Sequence, residues 1–250
     1  NFLVRDYDFT GVFSAIYSDT TATTPIAENA GIALIRSSHD PDGSLGRDAT
    51  QSTSAARPTW VGGGISGQGA EWDGVDDQVT FTQSVSRGAH TWLVIGSNRD
   101  ATDGSHFVAG AGATRILATG PGYSGVATPV PPGHAAGQVY MTTHASAGST
   151  CGSDLPQQGQ TSTDYNVMVH HREGSTFVNE VVSNGAVANQ CSVTNTDTFV
   201  VTSIGRSGGG IVGWELDGRV RRVMQWAAQL TEAQRVRIYA DVCARYPEAC

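Results

Sequence analysis

Between Gly213 and Tyr239 the hydrophobic period of the chain changes from about 2 to about 3.6 residues. Apolar and polar residues alternate loosely from Trp214 to Leu216 and again from Val220 to Trp226, which predicts a strand, with Gly218 as its expected break or bulge. A helix start follows at once. The Thr231 hydroxyl is placed to accept from a free first-turn N–H, and Gln234 to reach back from the third helical position. The two make a capping box, with Leu230 as a hydrophobic staple. Val236, Tyr239, Ala240 and Cys243 then recur at helical spacing, and Pro247 forbids continuation. One helix face is expected to pack and the other to be solvated.

This is the one convincing helical pattern. Elsewhere the chain has 31 Gly and abundant Thr, Ser and Val, a composition that favours many short strands joined by turns. An all-β fold is expected, and 250 residues suffice for a single domain. Its expected parts are a turn-rich lead-in over 1–58, a sandwich over 59–230 and a closing helix over 231–246. The 15 basic residues are all Arg and the net charge is −8, so the basic footprint of a nucleic-acid binder is missing. No run approaches the ~18 apolar residues of a membrane span, so no membrane insertion is expected.

The four cysteines, Cys151, Cys191, Cys243 and Cys250, lack the paired C-x-x-C spacing of a zinc site. Cys243 and Cys250 flank Pro247 and are close enough in sequence for a local bridge, which leaves Cys151 and Cys191 for a second. Free buried thiols are the alternative reading. Bridged cysteines point to an oxidising, extracellular setting.

Ala89 to Gly96 is a nearly continuous apolar run, the pattern of a core strand in a two-sheet fold. From Tyr165 to Val187, turns at Glu173–Ser175 and at Asn184-Gly185 predict a three-strand meander, since Asn-Gly readily supplies two positive φ angles. His170 and His171 are neighbours in one of these strands. They face opposite sides, cannot form the i, i+2 pair of a strand metal site, and read as structural or surface residues.

Several stretches carry a family resemblance. Ile16 to Ile26, Gly31 to Arg36, Arg47 to Thr53 and Arg57-Pro58 resemble, in order and spacing, the lead-in of phage-encoded and bacterial laminin-G-like proteins. Gly69 to Phe81, Tyr165 to Val187, Phe199 to Gly205 and Gly218 to Thr231 are similar to later strands of the same concanavalin A-like jelly-roll family. Arg221 and Arg222 stand where the family usually carries an acidic pair, and Asp48-Ala49 where it has Asn-His. The resemblance implies a non-enzymatic surface protein of a virion or phage-like particle, a fibre, spike or tail component that contacts host-cell polysaccharide. Other particle proteins and further copies of the chain are the implied partners. A purely structural, decorating or assembly module is the alternative.

The resemblance also implies a structural or ligand-bridging Ca²⁺, for which Asp73, Asp76 and Asp77, joined by loop carbonyls or Asp217, are the candidates. Asp40 and Asp42, in an insert, read as turn formers. Glu71, Asp73 and Asp76 are similar to the E-x-D-x-x-E run of concanavalin A-like glucanases, so a glycoside hydrolase using Glu71 and Asp73 is a further alternative. Such an enzyme needs two carboxyl groups about 5 Å apart. A regular strand instead puts Asp76 on the opposite face, and Gly74 reads as the turn of a hairpin. No Gly-x-Ser-x-Gly elbow, Walker loop or zinc cluster is present in the sequence.

A sugar site pairs an aromatic platform with fixed hydrogen-bonding groups. Trp72, Trp92 and Trp226 lie in strand patterns and are expected in the core. Tyr123, Trp60 and Trp214 are flanked by Gly, Pro or chain breaks and are expected to face solvent, Tyr123 first, with Asn98, Arg99 and Asp100 as polar partners. The alternative is that all three cover the loop side of the core.

Overall fold

The apolar run around Trp92 is buried on both faces, because its strand lies in the middle layer of three. The computed structural model describes residues 3–11, 14–38, 40, 46–62, 69–98, 105–110, 115–121, 139–144, 150–154, 165–194, 199–206 and 215–250. Its strands are β1 (Leu3–Asp8), β2 (Ile16–Tyr17), β3 (Leu34–Ile35), β4 (Ala49–Thr50), β5 (Thr59–Trp60), β6 (Ala70–Asp73), β7 (Val79–Arg87), β8 (His90–Asn98) and β9 (Ser105–Gly110). They continue with β10 (Arg115–Pro121), β11 (Val139–His144), β12 (Thr150–Asp154), β13 (Asn166–Glu173), β14 (Thr176–Ser183), β15 (Ala186–Thr194), β16 (Phe199–Ile204) and β17 (Asp217–Trp226), before helix α1 (Glu232–Arg245).

Two antiparallel sheets result, as the all-β expectation requires. The first runs β15-β14-β13-β8-β17-β6-β5, with β1 also on β17; the second runs β12-β11-β10-β9-β16-β7-β4-β3-β2. Trp72, Trp92, Val94, Met168, Phe177 and Val223 of the first sheet pack against Ile35, Val79, Phe81, Phe107 and Ile204 of the second. Trp92 stacks on Phe81, ring centroids 6.0 Å apart. The residues between these on the first sheet, Leu93, Ile95, Val167 and Val169 with Met224 and Trp226, point to its outer side. There they meet Leu230, Tyr239, Val242 and Tyr246. Strands covered on both faces have no polar side to present, hence the unbroken apolar run.

The capping box forms as expected: the Gln234 N–H donates to the Thr231 hydroxyl, and Gln234 Oε1 accepts from the Thr231 N–H. The helix buries a stripe that keeps Tyr239 and Cys243 of the expected one and leaves Val236 and Ala240 exposed. Tyr239 and Val242 are inward, Ile238 and Cys243 pack beside them, and Val236 is 48% exposed. Cys243 and Cys250 are bridged, with Cα atoms 5.6 Å apart. Cys191 is also disulfide-bonded, and no cysteine is free among the described residues.

The three-strand meander is present as β13-β14-β15, with positive φ at Gly174 and at Asn184-Gly185. Three other expectations are corrected. The lead-in is not separate from the sandwich: β1 pairs with β17 in one sheet, and β2, β3 and β4 extend the other. The turn at Gly74 does not close a hairpin, because β6 belongs to the first sheet and β7 to the second. Gly218 lies in regular ladder, opposite Trp72 and Asn98, and the bulge falls between Val220 and Arg222.

That bulge has a clear cause. β6 pairs with β17 up to Val220 and β1 takes over from Arg222, on the same side of the strand. At the junction the extra residue lets successive side chains share one face. Arg222 ion-pairs with Asp6, while Arg221 lies 3.9 Å over the Tyr165 ring and pairs with Glu248. The two arginines therefore tie the first strand and the C-terminus to the last strand.

Candidate functional site

The corner between β6 and β7 gathers the acidic residues singled out in the sequence. Along β6, Ala70 and Trp72 are buried while Glu71 and Asp73 point outward. Asp73 Oδ1 accepts from the Val75 N–H at 2.9 Å, and Asp77 Oδ2 accepts from the Asp73 N–H at 3.1 Å. Gly74, at φ +76°, lets the corner close against Asp217, whose Cβ would stand 2.9 Å from any side chain there. Asp217 is opposite Asp73 in the ladder.

One carboxylate oxygen each from Asp73, Asp76 and Asp77 lies within 4.8 Å of the others. Burial, then the Asp73 and Asp76 charges, pushes Asp77 up to about 7, although the Asp73 N–H opposes the shift. The donor set is all hard oxygen, which suits a hard divalent cation such as calcium or magnesium better than a softer metal. Glu71 stands apart from the cluster: its Oε2 accepts from Arg219 Nη2 at 3.0 Å and Nε at 3.3 Å. The carboxylate needed for a catalytic pair is thus engaged with a guanidinium.

A groove lies at the edge of the first sheet. Trp60 in β5 is only partly buried, and its indole N–H donates to the Phe9 carbonyl at 2.9 Å. This corrects the expectation of a freely solvent-facing ring: one side of Trp60 packs on the core. It also lines a groove of about 340 Å³ with Gly11, Ser14, Tyr17, Pro25 and Ile26. Tyr17 carries the Arg36 guanidinium over its ring at 5.8 Å. The rim is a tight loop in which Asp19 accepts from the backbone N–H groups of Thr21, Thr23 and Thr24. These bonds, led by Thr24, hold its carboxyl below the usual range.

Tyr123, Arg99, Asp100 and Trp214 lie outside the described residues, as does Asp42, and of Asn98 only the backbone is described, opposite Gly218. Trp72, Trp92 and Trp226 are buried, as expected. Asp40 is buried and accepts from the Arg47 N–H, a turn role.

Sequence reasoning missed the buried polar groups that flank both faces of the first sheet. Between the sheets, His170 Nδ1 is 2.9 Å from Asn179 Oδ1 and its Nε2 is 3.1 Å from His90 Nε2. Arg5 donates to Gln225 Oε1 at 2.9 Å on the same inner side. Under the helix, Glu180 accepts from Tyr239 and Arg235, with His171 Nε2 3.4 Å away. The one local sign was polar residues recurring at inward-facing strand positions.

No protein-family model and no curated protein matches the sequence. Among solved structures, the chain is similar to a GH54 α-L-arabinofuranosidase soaked with a cyclic sulfate inhibitor, at TM-score 0.62 and 10% identity over 98% of this chain and 63% of that one. It is similar to an arabinofuranosidase complexed with arabinofuranosyl-α-1,2-xylobiose, at TM-score 0.55 and 10% identity over 87% and 52%. A Trypanosoma rangeli sialidase gives TM-score 0.51 and 12% identity over 98% and 33%. The chain thus spans less than two thirds of each of these proteins, and what it shares with them is the β-sandwich fold.

Proposed function

We propose that this chain is a non-enzymatic glycan-binding domain that works outside the cell, on the surface of a virion or phage-like particle, with host-cell polysaccharide as its ligand. The observation that carries the glycan reading is the sandwich fold held in common with arabinofuranosidases and a sialidase. The particle setting rests on the laminin-G-like resemblance of the sequence, and the extracellular setting on the Cys243–Cys250 bridge. Against catalysis stands Glu71, whose carboxylate is taken up by the Arg219 guanidinium at 3.0 Å rather than presented to a substrate.

The ligand site proposed is the groove between Tyr17 and Trp60. Two aromatic rings offer C–H stacking surfaces, and the surrounding loop backbone offers hydroxyl partners. Calcium at the Asp73, Asp76 and Asp77 corner is proposed as a structural ion that holds the β6–β7 crossing.

A glycan array followed by adsorption to polysaccharide tests the reading. Wild-type chain is expected to be retained, Tyr17→Ala to lose retention and Tyr17→Phe to keep it, with unchanged circular dichroism for all three. No retention on any glycan would leave a decorating module. Release of reducing sugar that disappears in Glu71→Gln would make the domain a hydrolase.

A further inference from the structure

Among the described residues, no charged side chain lines the groove between Tyr17 and Trp60; its walls are Ile16, Pro25, Ile26 and the two rings. Other polar groups in it are already engaged. The Ser14 hydroxyl donates to the Asp6 carbonyl at 3.1 Å and accepts from the Asp8 N–H at 2.9 Å, and the Trp60 indole N–H is held by the Phe9 carbonyl. Arg36, which stands over Tyr17, faces Asp48 at 3.9 Å, and Arg57 donates to the carbonyls of Ser18, Gln51 and Ser52. Carboxylates flank the groove instead. Tyr17 and Pro25 are bridged backbone to backbone, so Asp19 sits in the loop that joins the two. Glu28 is exposed in the turn after Ile26, where the Ala30 N–H donates to the Ala27 carbonyl and the Asn29 N–H to the Trp60 carbonyl at 2.8 Å. The threonine hydrogen bonds keep Asp19 ionised.

We propose that this groove selects uncharged sugar chains, and that Asp19 and Glu28 are the residues that exclude acidic ones such as polymers of uronic or sialic acid. The inference rests on the glycan reading above and names the ligand class within it. A neutral sugar loses little on entering, because its C–H face stacks on the rings while its hydroxyls stay towards the loop backbone and water. A sugar carboxylate is different. It needs charge-assisted donors to offset its desolvation, and the guanidinium groups beside the groove are committed to the chain's own oxygens. It also meets the like charges of Asp19 and Glu28, on a chain whose net charge is −8.

Binding of the full chain to immobilised neutral polymers (arabinan, galactan and mannan) and acidic ones (polygalacturonate and polysialic acid), at about 0.15 M salt, tests the selection. The chain is expected to bind at least one neutral polymer and neither acidic one, and Tyr17→Ala to abolish that binding. Asp19 also ties its own loop together, so Glu28 carries the mutational test. Glu28→Lys, a change at an exposed side chain, is expected to bind the acidic polymers at least about tenfold more tightly than wild type, and Glu28→Gln to show a smaller gain, with unchanged circular dichroism for both. Adding Tyr17→Ala to Glu28→Lys should remove the gain. Wild-type binding to an acidic polymer that Tyr17→Ala removes overturns the selection and leaves the glycan reading intact. Neutral binding that survives Tyr17→Ala, or acidic binding unmoved by Glu28→Lys, overturns it too. Absence of binding to every polymer removes the glycan reading itself, and this inference with it.

Discussion

Arg222 and Asp6 meet fork to fork, with Nε to Oδ1 and Nη2 to Oδ2 both 2.8 Å, across 216 positions of sequence. Asp6 also accepts from the Ser38 hydroxyl at 2.7 Å, and its backbone N–H donates to the Ser37 hydroxyl at 3.0 Å. Both charged groups are buried. Removing one partner strands the other in a low-dielectric site, so Asp6→Ala is expected to cost about 3–5 kcal/mol. Urea titration checks it; a loss below about 1 kcal/mol would mean that the pair is screened by water.

The helix face is tested by a pair of substitutions. Val242→Ala removes buried volume and is expected to destabilise by roughly 2 kcal/mol, whereas Val236→Ala, on the exposed side, should stay within about 0.5 kcal/mol. Thr231→Ala, which removes the cap, is expected to cost about 1 kcal/mol. A larger loss from Val236→Ala than from Val242→Ala in thermal melts would restore the stripe inferred from sequence.

Stability is expected to fall on acidification, through His170. Burial, then the neighbouring His90, pushes its pKa well below the ordinary value, although the Asn179 hydrogen bond opposes this. With Asn179 Oδ1 accepting from His170 Nδ1–H, the neutral ring has Nε2 free to accept from His90 Nε2–H. A folded pKa below the unfolded one means that the stabilisation is complete above about pH 6.5 and is lost as pH drops below it. His170→Gln should flatten the melting temperature between about pH 7.5 and 5. An unchanged slope would place the acid sensitivity elsewhere.

Asp77 carries the opposite sign. Its folded pKa of about 7 lies above the unfolded value, so its contribution is complete below about pH 4 and is lost as pH rises through about 7. Asp77→Asn is expected to raise the melting temperature of the calcium-free chain at pH 8 and to leave it little changed near pH 4. Calcium competes with the proton at this corner, so its effect on the melting temperature should grow from about pH 6 to 8. Equal midpoints in excess calcium and excess chelator at that upper pH would remove the proposed site.

Bridging of Cys243 to Cys250 closes a loop of seven residues' separation and is expected to contribute about 2.5 kcal/mol. Cys243→Ser with Cys250→Ser, followed by chemical denaturation, measures it. A loss far below about 1 kcal/mol would show that the Tyr246 and Ala249 packing alone holds the terminus.

By itself the sequence determined what is set within a few residues. The Thr231–Gln234 box depends on groups three positions apart, Asn184-Gly185 on two φ angles, and the unbroken run at β8 on burial of alternate side chains on both faces. Such signals survive whatever the rest of the chain does. Only the tertiary structure decided that the lead-in joins both sheets, that Gly74 marks a crossing between sheets, and that Arg221 and Arg222 pair with Glu248 and Asp6. It likewise decided that His170 meets His90, eighty positions away, and that Glu71 is engaged by Arg219 across 148. Those partners are chosen by which strand edges and faces come together when the core closes, and no local pattern of period, turn or cap encodes that choice.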